Sequence, residues 1–407
     1  MAATPPSPPR ATFYWQGNKV AGTNTAGVDN ALAYSNGSAS NWSATDGSYT
    51  AIGLTPGSLA NVIFSAAGAV EQSTVLGADM AVNSVTFNNS AAVAIGGPNI
   101  LTLMSAGTGA SSAIVVSATA NANTAISSNV ALGASQTWSV ASGKNLAVSG
   151  TVSGGNSLTK DDAGTLTLTG ANTYTGDTTV KAGILKLDTT GSIASSPNIV
   201  VGDAGSSGAR LDVTTVNGGF VVVINQTLKG IGTIDGNTTI LGTHAPGNSP
   251  GLQTVNGNLI YGTGSMVNLE LGANLSTDTA GIRGVHFDAV DVTGALTIGT
   301  GVTSNLIFNG VGSAVDFADA FWTSDRSWLV YDAATLSSGS IFDTITATVD
   351  SLGGTMTPGA FSWNQTGNDV YLKFTAGGPA PVPEPTGVAI GLLCVGVAAS
   401  RRRRRSA

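Results

Sequence analysis

The sequence predicts an all-β protein, a right-handed parallel β-helix (β-solenoid) that ends in a short C-terminal transmembrane helix. The composition is the first sign, because 42% of the 407 residues are hydrophobic, 55 are glycine and only 10% are charged. Val, Ile and Thr favour strands, whereas Gly and Asn favour turns. Short runs of alternating polarity recur, cut by turn residues at intervals of about 8–12 residues. Such repetition favours stacked coils, with several sandwich domains in series as the alternative.

The elements follow in order along the chain. Residues 1–12 are rich in proline and predict a disordered leader, and strand-like sequence occupies 13–377. The clearest period-two runs are FYWQG (13–17), AVNSVTFNN (81–89), NILTLMSAG (99–107), SQTWSVASGKNLAVSG (135–150), TLTLTG (165–170), GILKLD (183–188), GNLIYGTGSMVNLELG (257–272) and DAVDVTGALTIG (288–299). No amphipathic helix is predicted before the tail. Val, Ile and Leu should point inward, and Thr, Ser and Asn outward.

The charge is unevenly distributed. Residues 1–382 carry 11 basic and 22 acidic side chains, whereas five of the six charges that follow are arginines. The acidic body excludes nucleic acid as a partner, because phosphate binding needs clustered cations. The low charge of the body suits stacked coils, in which identical charges on successive coils would repel each other.

The most regular stretch is GTLTLTGANTYTGDTTVKAGILKLD, residues 164–188. It predicts a strand at Leu166–Leu168, a turn at ANTYTGD, a second strand at 178–180 and a third at 184–187, about one coil in all. The stretch resembles the autotransporter-associated β-strand repeat, whose recurring positions are matched here by Gly164, Asn172, Tyr174, Gly176, Gly183 and Leu187. Looser similarity extends to FYWQG, to HAPGNSPG (244–251) and to SWNQTGNDVYLKFTA (362–376). The resemblance implies a β-solenoid surface protein and no chemistry.

The tail, 378–407, combines three features. Pro383, Glu384 and Pro385 precede an uncharged run, 386–400, which contains the single cysteine, Cys394. Arg401, Arg402, Arg403, Arg404 and Arg405 follow. Fifteen helical residues span about 22 Å at about 1.5 Å each, less than the roughly 30 Å hydrocarbon core, although arginines can extend the span by snorkelling. The basic end is predicted to be cytoplasmic.

This order of features resembles the PEP-CTERM sorting signal of bacteria. The resemblance implies that an exosortase, a membrane-embedded processing protease, recognises Pro383, Glu384 and Pro385 and removes the anchor. The chain would then be exported, anchored transiently in the inner membrane, and released to the cell surface or extracellular polysaccharide matrix. Such proteins have an N-terminal signal peptide, and residues 1–12 have no apolar core segment, so the signal is expected to be missing from this chain. A permanent tail anchor is the alternative.

Catalytic candidates are few. Glycoside hydrolysis needs two carboxyl groups that face each other across a cleft, and the possible pairs are Asp161/Asp162, Asp288/Asp291 (near His286) and Asp316/Asp319. The sequence around Asp161 and Asp162 is typical of a turn, and turn or strand-edge capping explains Asp288 and Asp291 more simply. His244 and His286 have no ligand-like neighbours in the sequence, so neither a metal site nor any cofactor is expected.

The sequence therefore predicts a non-enzymatic, exported structural or adhesive protein, with extracellular polysaccharide as a possible partner. A polysaccharide-degrading β-helix enzyme is the alternative, which a carboxylate-lined cleft would favour. An autotransporter passenger of the type fused to its own barrel is disfavoured, because no series of alternating strands of about ten residues occurs at the C-terminus.

Overall fold

The protein was analysed as a computed structural model. It describes residues 11–17, 32, 40–46, 53–65, 73–105, 112–203, 205–247, 250–272, 281–308, 316–337, 344–348 and 359–377. Helix is almost absent from these ranges, where one 3-10 turn, Ala320–Thr323, follows the capping residue Asp319. The fold is therefore mostly β, as the composition predicts.

Residues 12–180 contain the first 17 strands, whose bounds in chain order are β1 Thr12–Trp15, β2 Trp42–Ser43, β3 Asn61–Phe64, β4 Ser73–Val75, β5 Met80–Val82, β6 Ser84–Phe87, β7 Ala94–Gly96, β8 Ile100–Leu103, β9 Ile114–Val116, β10 Asn123–Ile126, β11 Asn129–Leu132, β12 Gln136–Val140, β13 Asn145–Val148, β14 Val152–Ser153, β15 Leu158–Asp161, β16 Thr165–Leu168 and β17 Thr178–Val180.

Residues 182–376 contain 17 more, β18 Ala182–Thr189, β19 Asn198–Val201, β20 Ser207–Val216, β21 Phe220–Val222, β22 Thr227–Gly230, β23 Thr233–Asp235, β24 Thr238–Ile240, β25 Thr243–Pro246, β26 Leu252–Asn256, β27 Leu259–Tyr261, β28 Met266–Glu270, β29 Ala289–Ile298, β30 Thr303–Ile307, β31 Arg326–Leu336, β32 Thr344–Thr348, β33 Gly359–Thr366 and β34 Asp369–Ala376.

Within the described ranges the strands form three sheets of 14, 16 and 4 strands. We call them sheet 1, sheet 2 and sheet 3; the chain visits them in turn, as β6, β7 and β8 illustrate. Strands of successive turns pair in parallel, for example β12 with β15 and β15 with β17. This pairing is that of a β-solenoid and excludes sandwich domains in series, whose sheets would be antiparallel.

The length of one coil can be read from the register. Leu158 lies opposite Thr178, and Thr178 opposite Ile199, so a coil takes about 20 residues at this point. Residues 164–188 are therefore more than the single coil that the sequence predicted. Thr165 pairs with Ile184, so the first and third predicted strands, β16 and β18, occupy the same face of successive coils.

Alternation places apolar side chains in the interior, as predicted. In β16, Leu166 and Leu168 are fully buried, while Thr165 and Thr167 face outward. Each buried leucine stabilises the fold by about 1.5–3 kcal/mol. Stacking of equivalent positions in sheet 2 produces an inner column of Leu146, Leu166, Leu185, Leu211, Ile234, Val255 and Val292.

Aromatic residues gather at the two ends of the solenoid. Trp15, Trp42 and Phe64 pack together where β2 pairs antiparallel with β1. At the other end, antiparallel β33 and β34 extend sheet 2 over a cluster of Phe308, Phe317, Phe321, Trp322, Trp328, Phe361 and Phe374. A solenoid needs such caps, because its terminal coils otherwise expose apolar surface and unpaired strand edges.

Candidate functional site

Two glycines of the predicted repeat occupy places that admit no side chain. A Cβ at Gly176 would come within 2.3 Å of the backbone carbon of Asn156 on the preceding coil. Gly183 has a φ of 65°, in the left-handed region, and a Cβ there would lie 2.4 Å from the carbonyl oxygen of Asp162. Both residues are therefore needed for close stacking of the coils.

The ANTYTGD turn forms the third side of its coil without an extended strand. Its backbone N–H groups at Thr173 and Thr175 donate to Val152 and Gly154 on the preceding coil, and side chains add to these hydrogen bonds. Asn172 accepts the backbone N–H of Val152 at 2.9 Å and donates its Nδ2 to the carbonyl of Ser192 at 3.1 Å. The buried hydroxyl of Tyr174 lies 2.6 Å from that of Thr178. These contacts join three successive coils, so the recurring residues of the repeat are stacking residues.

A fully buried lysine lies at the corner between sheets 1 and 2. Lys160 points inward from β15, and its ammonium donates to the carbonyl oxygens of Asp161 at 2.7 Å, Asp162 at 2.6 Å and Ala182 at 3.2 Å. Burial lowers the pKa of Lys160 to about 8, opposed by the negative charges of Asp161 and Asp162. Lys160 thus bonds two consecutive coils from inside, a role that its sequence context did not predict.

Two of the predicted carboxylate pairs have structural roles. Asp161 faces outward, 4.0 Å from Lys181, whereas Asp162 is in the following turn with a φ of 62°. Asp316 accepts the backbone N–H of Ala318, and Asp319 that of Phe321, at the start of the 3-10 turn. The position of Asp162 matches the turn expected for the first pair, whereas the roles of Asp316 and Asp319 were not predicted from the sequence.

The third pair is divided between two sites. Asp291 faces outward from β29 and pairs with Arg283. Asp288 is buried, and its two oxygens accept the backbone N–H groups of Gly251 at 2.8 Å and Glu270 at 2.7 Å. Burial raises the pKa of Asp288 to about 8, against the effect of those two hydrogen bonds. The two carboxylates do not face each other across a cleft.

Asp288 instead shares a cavity with a carboxylate that the sequence analysis missed. A cavity of about 210 Å³, which we call the carboxylate pocket, is lined by Lys229, Ala245, Pro246, Gly247, Asn268, Glu270, Asp288 and Ile307. The Oε2 atom of Glu270 is buried and has no hydrogen-bond partner. Outward alternation in MVNLE could have marked Glu270 as a surface group, but only the coil register brings it near Asp288.

The two histidines are in different environments. His286 is on a local turn, where Nδ1 accepts the N–H of Ile282. His244 is fully buried inside the solenoid, with Nδ1 2.6 Å from the Tyr261 hydroxyl and Nε2 2.6 Å from Gln253 Oε1. Because an amide oxygen only accepts, Nε2 carries the proton and Nδ1 accepts from Tyr261. In the described part of the chain, no three potential metal ligands converge.

This burial makes stability depend on pH. Desolvation lowers the pKa of His244 from 6.5 to about 4. Between these values the unfolded chain binds a proton that the folded protein does not, so stability falls as the pH falls from about 6.5 to about 4. The full contribution is about 3 kcal/mol at about 1.4 kcal/mol per pH unit. We expect His244→Asn to remove this part of the slope and His286→Asn to retain it, measured by urea unfolding at pH 7 and pH 4.5. Equal slopes in the two variants would contradict the assignment.

A second cavity, of about 340 Å³, opens on the third side of the solenoid between residues 189–194 and 216–223. It lies beside β21, which is an edge strand of sheet 2. The immediately preceding coils have no strand on this third side. Thr189, Thr190, Ser192 and Asn217 supply its polar side chains, and Phe220 contributes to its apolar part. None of the described residues that line this second cavity is titratable, so the cavity lacks the groups for acid–base chemistry.

The predicted sorting signal lies outside the described residues. The described residues do not include Pro383, Glu384 and Pro385, the predicted membrane helix 386–400 or the five arginines. The predicted disordered leader also lies outside them, except for residues 11 and 12. Within the described ranges, no helix has the length and apolar character needed to cross a membrane. The sorting signal in residues 378–407 therefore stays a prediction.

Comparison with known proteins agrees with the repeat. A family model, the passenger-associated-transport-repeat, matches residues 158–187. No curated protein matches the chain. The matched segment starts with β15, includes Lys160 and covers nearly all of the predicted repeat at 164–188. Together, this similarity to a passenger-associated repeat and the parallel solenoid-like sheets fit an exported surface protein.

Proposed function

We propose that the chain is a non-enzymatic structural or adhesive protein of the cell surface or extracellular matrix, which contacts polysaccharide through its outer faces. Its coils wind right-handed, as parallel crossover connections nearly always do. The observation that carries the proposal is the regular polar surface of the solenoid. The matched passenger-associated repeat supports export and a surface location.

The outer faces carry ladders of short hydroxyl and amide side chains. Thr137, Thr159 and Thr179 stand one above another on sheet 1. On sheet 2, Asn123, Asn145 and Thr165 form a similar column. These side chains both donate and accept hydrogen bonds at the spacing of the coils, about 4.8 Å. A flat surface of this kind suits the hydroxyl groups of an extended glycan.

The same surface is a poor place for glycosidic cleavage. Of the carboxylates in the carboxylate pocket, Asp288 uses both oxygens to accept backbone N–H groups. A general acid must instead direct a proton at the leaving-group oxygen. Binding is therefore favoured over hydrolysis, and incubation with a bound polysaccharide should release no new reducing ends.

Binding can be tested with the purified full chain on an array of bacterial and plant polysaccharides. Retention of at least one polysaccharide, at physiological salt and without release of reducing ends, is expected. Absence of binding to every glycan would overturn the adhesive part of the proposal. Binding accompanied by cleavage would favour the degradative enzyme.

Sorting through the tail is a separate part of the proposal. In it, an exosortase recognises Pro383, Glu384 and Pro385, while 386–400 and Arg401–Arg405 hold the precursor in the inner membrane. The intact mass of the protein recovered from the cell surface tests this directly. A C-terminus near 383–385 is expected, whereas a mass that includes the arginines would indicate a permanent anchor.

A further inference from the structure

The carboxylate pocket is a depression in the outer surface of sheet 1. Outward-facing residues of β22, β25, β28 and β30 surround it, and Lys229 pairs with Ala245 across the first two strands. Ala245 is small, and Gly247 has no room for a side chain, because a Cβ there would lie 2.0 Å from Asp288 Oδ1. Two small residues in HAPG, between longer neighbours, therefore create the depression.

Polar groups of both kinds surround this depression. Glu270 Oε2 is a buried acceptor without a partner, the strongest sign that a ligand group belongs there. Lys229 supplies an ammonium donor. Asn268 accepts from Asn305 Nδ2 at 3.5 Å through its Oδ1, which leaves its Nδ2 as a donor. Asp288 is held by backbone N–H groups and positions the pocket wall.

The lining also has an apolar part. Ala245, Pro246 and Ile307 contribute carbon surface beside the polar groups. The volume, about 210 Å³, is below the roughly 300 Å³ at which pockets for drug-sized ligands begin. A single ring with hydroxyl groups on its edge and C–H groups on its face fits these features.

The charges select among possible rings. The carboxylate of Glu270 opposes an anionic ligand such as a uronate, and Lys229 opposes a cationic one. Hydroxyl groups can accept from Lys229 and Asn268 and donate to Glu270 at the same time. A neutral sugar satisfies all three side chains without adding a charge.

We propose that the carboxylate pocket binds one neutral sugar ring of a polysaccharide, with Glu270, Lys229 and Asn268 as the ligand-binding residues. This inference rests on the proposed glycan-binding function and assigns to it one specific site. The outward ladders would then contact the rest of the glycan nonspecifically. For a free monosaccharide we expect a Kd on the order of 1 mM, given the few atoms involved.

The test uses the full chain and ligand-observed NMR with glucose, galactose, mannose, rhamnose and N-acetylglucosamine. The variant Ala245→Leu fills the depression without removing a polar group, and Thr86→Leu, at an outward position of β6, adds bulk on the same face outside the pocket and outside the threonine ladder. At least one sugar should bind to the wild-type protein and to Thr86→Leu, and about tenfold more weakly to Ala245→Leu. Binding that Ala245→Leu leaves unchanged would overturn the proposal, as would the absence of binding by all five sugars.

A second variant separates the chemistry from the shape. Glu270→Gln keeps the size of the side chain but replaces one acceptor oxygen by a donor, so sugar binding should again weaken about tenfold. The polysaccharide array distinguishes the two levels of the proposal. If wild type and both pocket variants retain glycans equally, the assignment of the pocket as a sugar site fails, and glycan binding by the outer faces of the solenoid still stands. If no glycan is retained at all, the proposed function itself fails.

Discussion

Trp138→Ala is expected to lower the free energy of unfolding by about 4 kcal/mol. Trp138 is fully buried in β12 and stacks between Ile114 and Lys160 on the neighbouring coils. Its Nε1–H donates to Gln136 Oε1 at 2.9 Å. The alanine variant would leave a large cavity and deprive the buried amide of a donor, and a solenoid interior formed by stacked strands cannot collapse freely to fill it.

The loss can be measured by chemical unfolding, with hydrogen exchange to locate it. Because each coil contacts mainly its neighbours, faster exchange should concentrate around β9, β12 and β15. Trp138→Phe retains most of the volume and should lose only about 1–2 kcal/mol. Thr137→Ala, an outward change in the same strand, should stay within about 0.5 kcal/mol. If Trp138→Ala is as stable as Thr137→Ala, then Trp138 is not packed in the interior between the neighbouring coils.

Lys160→Met is expected to destabilise the protein by about 3 kcal/mol, although it replaces a buried charge by an apolar chain of similar length. The ammonium donates to three carbonyl oxygens of the Asp161, Asp162 and Ala182 peptides. Each buried carbonyl left without a donor costs about 1–3 kcal/mol. Removal of the buried charge offsets part of this loss. The coils of the matched repeat should separate at this corner.

Lys181→Met is the matched control. Its ammonium is half exposed and lies 4.0 Å from Asp161, so the change should have an effect below about 0.5 kcal/mol. A pH readout adds a second criterion. Burial lowers the pKa of Lys160 from 10.5 to about 8, so between these pH values the unfolded chain binds a proton that the folded protein does not. The free energy of unfolding of the wild type should therefore increase as the pH rises from about 8 to about 10.5, and Lys160→Met should lack this increase. If both methionine variants behave alike, the interior hydrogen bonds contribute little.

Local pattern was enough to predict the strands and the solenoid. Alternation in TLTLTG and GILKLD depends only on neighbouring residues, because successive side chains of a strand point to opposite faces. The recurring Asn172, Tyr174 and Gly176 likewise identified a repeat, which the matched family model supports. These features lie within about 25 residues of one another, and no long-range contact has to be known in order to recognise them.

Coil length was not predictable in the same way. The 25-residue unit contains two strands of the same face, because Thr165 and Ile184 stack directly. Which residues stack on one another depends on how many residues form each corner of the coil. The tight corner at Gly183, where φ is positive, is visible only in the structure. Alternation in SLTKDD even places Lys160 inward, yet a charged side chain is ordinarily expected outside.

The sequence by itself determined the all-β class, the inward and outward faces, the acidic body and the turn after Asp161. Only the tertiary structure assembled an aromatic cluster at each end, buried Lys160 and His244 with their partners, and joined Glu270 with Asp288 in one pocket. The physical reason is distance along the chain. Alternation is a property of adjacent residues, whereas contacts between coils depend on the lengths of every loop between them.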